Sequence, residues 1–124
     1  MEAEALNIVA VVAGVIAGFV FGMIVYHPNT LGTIWANGSG VDLDGKPSPL
    51  AFVAMILALI ALAIVIGMTA TLNLLGTALL AILAAALFVV SGGFFTKKSG
   101  GAIGVDALFI VGAGALMIVA QGIF

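Results

Sequence analysis

The sequence has no cysteine and no arginine, and its formal charge comes from three lysines and five acidic residues. Without cysteine the chain forms no disulfide, no thiolate nucleophile and no thiolate metal site. A single histidine then leaves too few ligands for zinc within one chain, so neither metal nor cofactor is expected. Three lysines do not make the basic stripe that nucleic acid requires, nor a polybasic patch for a membrane surface, which excludes nucleic acid as a partner. Charged residues are 6% of the chain, too few to coat a water-soluble surface of 124 residues.

What fills the chain is hydrocarbon: 65% of residues are hydrophobic. Inside a bilayer every backbone polar group must be satisfied within helices or closed barrels, and these apolar runs lack the alternation of barrel strands. The expected fold is therefore all-α, an integral membrane four-helix bundle in one domain, 1–124. The first run, Leu6 to Tyr26, would form ~31 Å of helix, which matches a ~30 Å hydrocarbon core. From Leu50 to Phe95 no residue is charged, and one helix of that length would reach ~69 Å, so the run must fold back. Thr69, Thr71 and Asn73 mark the turn and are expected to cap the hairpin there. The spacing predicts spans at about 6–27, 50–68, 72–95 and 102–124, with a polar loop over 28–49.

Four crossings place both termini on one side and the loops carrying Lys46 and Lys97-Lys98 on the other. The positive-inside rule assigns those lysine loops to the cytoplasm and both termini to the non-cytoplasmic side. Glu2 and Glu4 stand where a signal peptide would carry basic residues, so the first span is expected to stay in the mature protein. A bacterial or archaeal cytoplasmic membrane suits such short loops.

Gly14, Gly18 and Gly22 recur every four residues, which aligns them on one stripe of a helix. In lipid such a stripe admits a neighbouring backbone, either a span of the same chain or a second subunit. Gly112 and Gly114 in the last span, with Ala113 and Ala115, read as a second packing patch, and Ser91-Gly92-Gly93 as close packing or a kink. In the polar loop Leu31, Ile34 and Trp35 fall at helical spacing, which suits a single turn lying in the interface. Tyr26 and Trp35 are expected to anchor at headgroup depth, with ligand stacking as the minor alternative for Trp35.

The stretch Gly22-Met23-Ile24-Val25-Tyr26-His27-Pro28, followed by Leu31-Gly32, Trp35 and Gly38, resembles the opening motif of the 1761 family of domains of unknown function. In that family of small four-span membrane proteins, a glycine-bearing first span ends in an aromatic, Tyr, one residue and Pro. Here Val25 stands where tryptophan is common and His27 where a small residue is usual. The last span, from Asp106 through Gly112 and Gly114 to Gly122, is similar to the family's closing span. The resemblance implies a four-helix membrane fold and assigns no activity.

Asp106 is the one ionisable residue inside a span, which makes it a candidate for an ion, proton or substrate contact. Against that stands a structural reading, a carboxylate near the helix start, favoured by the helix dipole. His27 closes the first span beside Pro28, where bonding to the last carbonyls of its helix is the ordinary role. The topology puts His27 and Asp106 at the same depth, so a proton-transfer pair between them is one hypothesis. Asp42-Leu43-Asp44-Gly45 begins like a calcium loop but lacks the later ligands and the closing glutamate, and reads as a turn. No nucleophile, base and orienter come together, so no catalytic residue is assigned and an enzyme is not expected. Small-residue faces in the first, third and fourth spans, with loops too short for a soluble active domain, favour a non-catalytic helix-packing protein whose partners are membrane lipids and itself or other membrane subunits. It would act as a homo-oligomer or an accessory subunit. The alternative is a pore or transporter for a small solute or ion at a subunit interface, using Asp106, His27 and in-span polar groups such as Thr77 and Gln121.

Overall fold

Helix starts in this chain are written by short polar residues. Asn7, Ser48 and Ser99 each place a side-chain oxygen on a free backbone N–H of the following turn, those of Ala10, Leu50 and Ala102. In a computed structural model that describes residues 6–124, they open α1 (Ile8–Val25), α3 (Pro49–Thr71) and α5 (Gly100–Ile123). Between α1 and α3 a wide turn, Pro28–Gly32, leads into the short α2 (Thr33–Ser39), and α4 (Leu75–Phe95) follows α3. Glu2 and Glu4 lie outside the described residues. Among the described residues four helices, α1, α3, α4 and α5, are long and apolar enough to cross a membrane.

The spans shift slightly from the expected bounds. The first helix stops at Val25 because His27 adopts extended backbone (φ −66°, ψ 138°) ahead of Pro28. The polar segment 28–49 is not simply a loop. Thr30 leaves helical geometry (φ −109°, ψ −105°), and its hydroxyl donates to the carbonyl of Ile24 with those of Val25 and His27 also in reach. That fixes the turn and sends the chain back as α2, which ends on Gly40 in the left-handed region (φ 71°), where glycine carries no Cβ penalty. The aspartate stretch is the expected turn, with the Asp44 N–H donating to Asp42 Oδ1 at 2.9 Å.

Thr69 and Thr71 do not cap the start of α4. Their hydroxyls donate to the carbonyls of Ile66 and Met68, one turn back in α3. This is the usual use of a hydroxyl at helix depth, where the i−3 carbonyl is the nearest acceptor. Asn73 instead turns the chain with a positive φ of 54°.

α5 is the hub of the bundle, packing on α1 above all and also on α2, α3 and α4. Small residues make this possible. A Cβ on Gly14 would sit 3.1 Å from Met117 Cγ, and one on Gly18 would sit 3.1 Å from Leu59 Cδ2 and 3.4 Å from Ala113 Cβ. From the other side Gly112 receives the ring of Phe21 and Gly114 the side chain of Ile82. The glycine stripe of α1 therefore docks on a span of its own chain. Gly93 likewise faces Ile103, 2.6 Å from its Cγ1, whereas Gly92 faces open space. Around these contacts Val11, Leu59, Ala63, Ile66, Ala78, Ile82, Ala113 and Met117 form the core.

The glycines that face neighbours and those that face outward make a testable contrast. Gly112→Leu drives a side chain into Phe21 and is expected to cost ~1–3 kcal/mol or more of stability. Gly104→Leu, where nothing lies within 4 Å, is expected to stay within ~0.5 kcal/mol of the parent. Thermal unfolding of the purified protein in mild detergent measures both.

Candidate functional site

At the end of the bundle where α1 finishes and α5 begins, four side chains from separate segments converge. Gly22 starts the arrangement, because a Cβ there would lie 2.7 Å from Phe109 Cε1. Its absence lets the Phe109 ring lie against α1, where it meets Tyr26 edge to face with centroids 5.6 Å apart. Tyr26 caps α1 and directs its hydroxyl across to α5, donating to Asp106 Oδ1 at 2.5 Å. The second carboxylate oxygen, Oδ2, accepts from Lys98 Nζ at 2.9 Å. Lys98 comes from the turn between α4 and α5, and its ammonium also lies 5.8 Å from the centre of the Trp35 ring.

α2 brings Trp35 to this place. Its close seat on α5 depends on Gly38, where any Cβ would strike Ser99 Oγ, and on a hydrogen bond from the Ser99 N–H to the Gly38 carbonyl at 3.0 Å. Trp35 then meets Tyr26 in a T-shaped pair, centroids 5.2 Å apart. The Asp106 side chain is 13% exposed and that of Lys98 28%, so the carboxylate is screened by protein while the ammonium keeps a route to water. Charge-assisted bonds of this kind are shorter and stronger than neutral ones. Loss of either donor would leave a half-buried carboxylate oxygen unpaired.

Two cavities adjoin the cluster. One, of about 430 Å³, lies among α1, α2, α3 and α5 and is walled by Phe19, Tyr26, Trp35, Phe52 and Phe109. The other, of about 380 Å³, lies among α3, α4 and α5 with Asp106 in its wall. Tyr26, Met55 and Phe109 border both.

The pair between His27 and Asp106, one hypothesis from the sequence, does not form. His27 is exposed, and its Nδ1 accepts the N–H of Asn29 at 3.1 Å inside the wide turn. The extended backbone at His27 carries the ring away, and the preceding residue, Tyr26, meets Asp106 instead. Asp106 also stands in the second turn of α5, because that helix begins at Gly100 rather than near Ala102. Its partners are lateral side chains, not the free amides of a helix start. Gly14, Gly18, Gly22, Gly112 and Gly114 are all packing positions inside the chain. Lys98 and the aromatic cavity were not singled out from the sequence. The one signal available was the two-turn spacing between Lys98 and Asp106. Among the described residues no group of three metal-ligating side chains gathers.

The chain belongs to a family described as protein of unknown function (DUF1761), which it matches over residues 9–122. Comparison with curated proteins and with solved structures found no match.

Tyr26→Phe keeps the ring contacts with Trp35 and Phe109 but removes the donor to Asp106 Oδ1. It is expected to lower stability by ~1–3 kcal/mol. In a double-mutant cycle with Asp106→Asn, the combined loss should fall short of the sum of the two single losses. Chemical unfolding in detergent, followed by Trp35 emission, reads the cycle.

Proposed function

We propose that this chain is a non-catalytic integral membrane protein that works by helix association, as a homo-oligomer or as an accessory subunit, through the outward face of α5. The supporting observation is where the unfilled glycines lie. Gly104 and Gly122 have no neighbour within 4 Å at the Cβ position. At ~100° per residue their spacing amounts to about five full turns, so they lie on one line along the helix. Leu108, Val111, Ala115 and Val119 fall between them on the same exposed face. Gly76 and Gly92 on α4 are equally open but lie ~160° apart around their helix, and so share no face. Gly104 and Gly122 stand ~27 Å apart at the two ends of the α5 face, with the bulkier Leu108, Val111 and Val119 between, so a second backbone finds close approach at the ends of α5, which is how spans associate where lipid and side chain are equally apolar.

In this reading the partners are lipids and a second copy of the chain or another membrane subunit. Lys46, Lys97 and Lys98 mark the cytoplasmic side, both termini lie opposite, and the host is a bacterial or archaeal cytoplasmic membrane. A second reading, a path for a small solute or ion, draws on Asp106 in a cavity wall. Liposome flux that persists unchanged in Asp106→Asn would leave that reading without its residue.

The double variant Gly104→Leu/Gly122→Leu is expected to weaken association by ~1–2 kcal/mol while leaving thermal stability in place. Native mass spectrometry and cross-linking in membranes supply the measurement. Assemblies unchanged in mass and yield would count against the α5 face.

A further inference from the structure

We infer that the cavity among α3, α4 and α5 binds a neutral, single-chain hydrophobic alcohol, whose hydroxyl donates a hydrogen bond to the Asp106 carboxylate. The site does not rest on the association reading. On α5 its wall is Asp106, Phe109, Ile110 and Ala113, whereas the outward face carries Leu108, Val111, Ala115 and Val119. The cavity's volume of about 380 Å³ falls within the ~300–1,000 Å³ of small-molecule sites. Its polar side chains are Asp106 and Tyr26, and the rest of the wall is apolar, with Met55 and Leu62 of α3 and Val89 of α4 facing Ile110. A site of that composition holds a ligand by one polar anchor and an apolar body.

Hydrogen-bonding capacity decides the head group. An ionised carboxylate has about four lone-pair sites, and Asp106 uses Oδ1 for Tyr26 and Oδ2 for Lys98. Acceptor capacity is left over. Donor capacity is not, because the one hydroxyl proton of Tyr26 is committed to Oδ1 and Lys98 stands outside the cavity wall. A ketone, ether or ester would therefore meet no donor, whereas a hydroxyl finds an ionised acceptor, the stronger kind. Charge fixes the rest. Lys98, 2.9 Å from Oδ2, already neutralises Asp106, so an ammonium head would add surplus positive charge and a carboxylate head would face a like charge. The shape agrees with a single chain. From Asp106 to Ala113 the wall follows α5 for ~10 Å away from the helix start, so a head held at Asp106 trails its chain toward the middle of the span.

The test reconstitutes the full chain in phosphatidylcholine vesicles with a decanol analogue that carries a diazirine at mid-chain. After irradiation, mass spectrometry locates the labelled peptides. Saturable labelling of the α3, α4 and α5 wall is expected, displaced by unlabelled decanol. Decyl methyl ether, which lacks the donor, should need at least about tenfold more to displace it, the size of a lost hydrogen bond to a charged group. In Asp106→Leu, where the partly exposed Lys98 can turn to water, alcohol and ether should compete equally. Ala85→Phe, which fills the cavity from α4, should abolish the saturable labelling. No saturable labelling, equal displacement by alcohol and ether in the parent chain, stronger displacement by decylammonium or decanoate than by decanol, a preference for alcohol that survives in Asp106→Leu, or undiminished labelling in Ala85→Phe would each overturn the inference. The comparisons among competitors use the parent chain, and they decide the matter even where a variant does not fold.

Discussion

In hydrocarbon, apolar side chains gain nothing by leaving lipid for one another, so spans adhere only where their surfaces fit closely. Here that fit is the contact between α1 and α5. Gly14, Gly18 and Gly22 admit Met117, Ala113 and Phe109, and Gly112 returns the favour by admitting Phe21. The reciprocity matters, since each helix supplies both a recess and a filler, and the pair is held in a single register. α3 and α4 join this pair through Leu59, which lies against Gly18, and Ile82, which lies against Gly114. Without the close approach Tyr26 would not reach Asp106, and the polar cluster would not exist.

The cluster illustrates how a membrane bundle keeps a carboxylate. An isolated anion at this depth is expensive, and the chain offsets the cost with two donors of different character, a phenol and an ammonium. The phenol is rigidly placed by aromatic contacts on two sides, Phe109 and Trp35. The ammonium is placed only by its charge and by the Trp35 face. α2 has no span of its own to form, and its role in the fold is to hold Trp35 over this junction through the Gly38–Ser99 seat.

Much of this architecture is legible in the residues. Span number and approximate bounds follow from uninterrupted apolar runs, since the bilayer imposes a length that no local preference overrides. The packing role of Gly14, Gly18 and Gly22 follows from their period of four, although periodicity alone does not say whether the partner is the same chain. Tertiary contacts made the difference elsewhere. His27 and Tyr26 are adjacent, and which of them meets α5 is decided by one extended residue before Pro28. Thr69 and Thr71 have the composition of caps but sit inside α3, where the preceding turn's carbonyls are closer than the next helix's amides. The aromatic cavity draws on α1, α2, α3 and α5 together, and no pattern within a single segment announces it.

The dominance of the α1–α5 contact also bears on the order in which the molecule is made. α1 enters the membrane first among these spans, yet the surface that completes its glycine recess emerges from the ribosome only after α2, α3 and α4. Until then the recess faces lipid, and the Tyr26 phenol has no carboxylate to meet. Closure is thus a long-range event in sequence, the kind that is slow because loop entropy must be met before any contact rewards it. The nascent bundle passes through a stage in which its most adhesive groove is open to whatever span lies beside it in the bilayer.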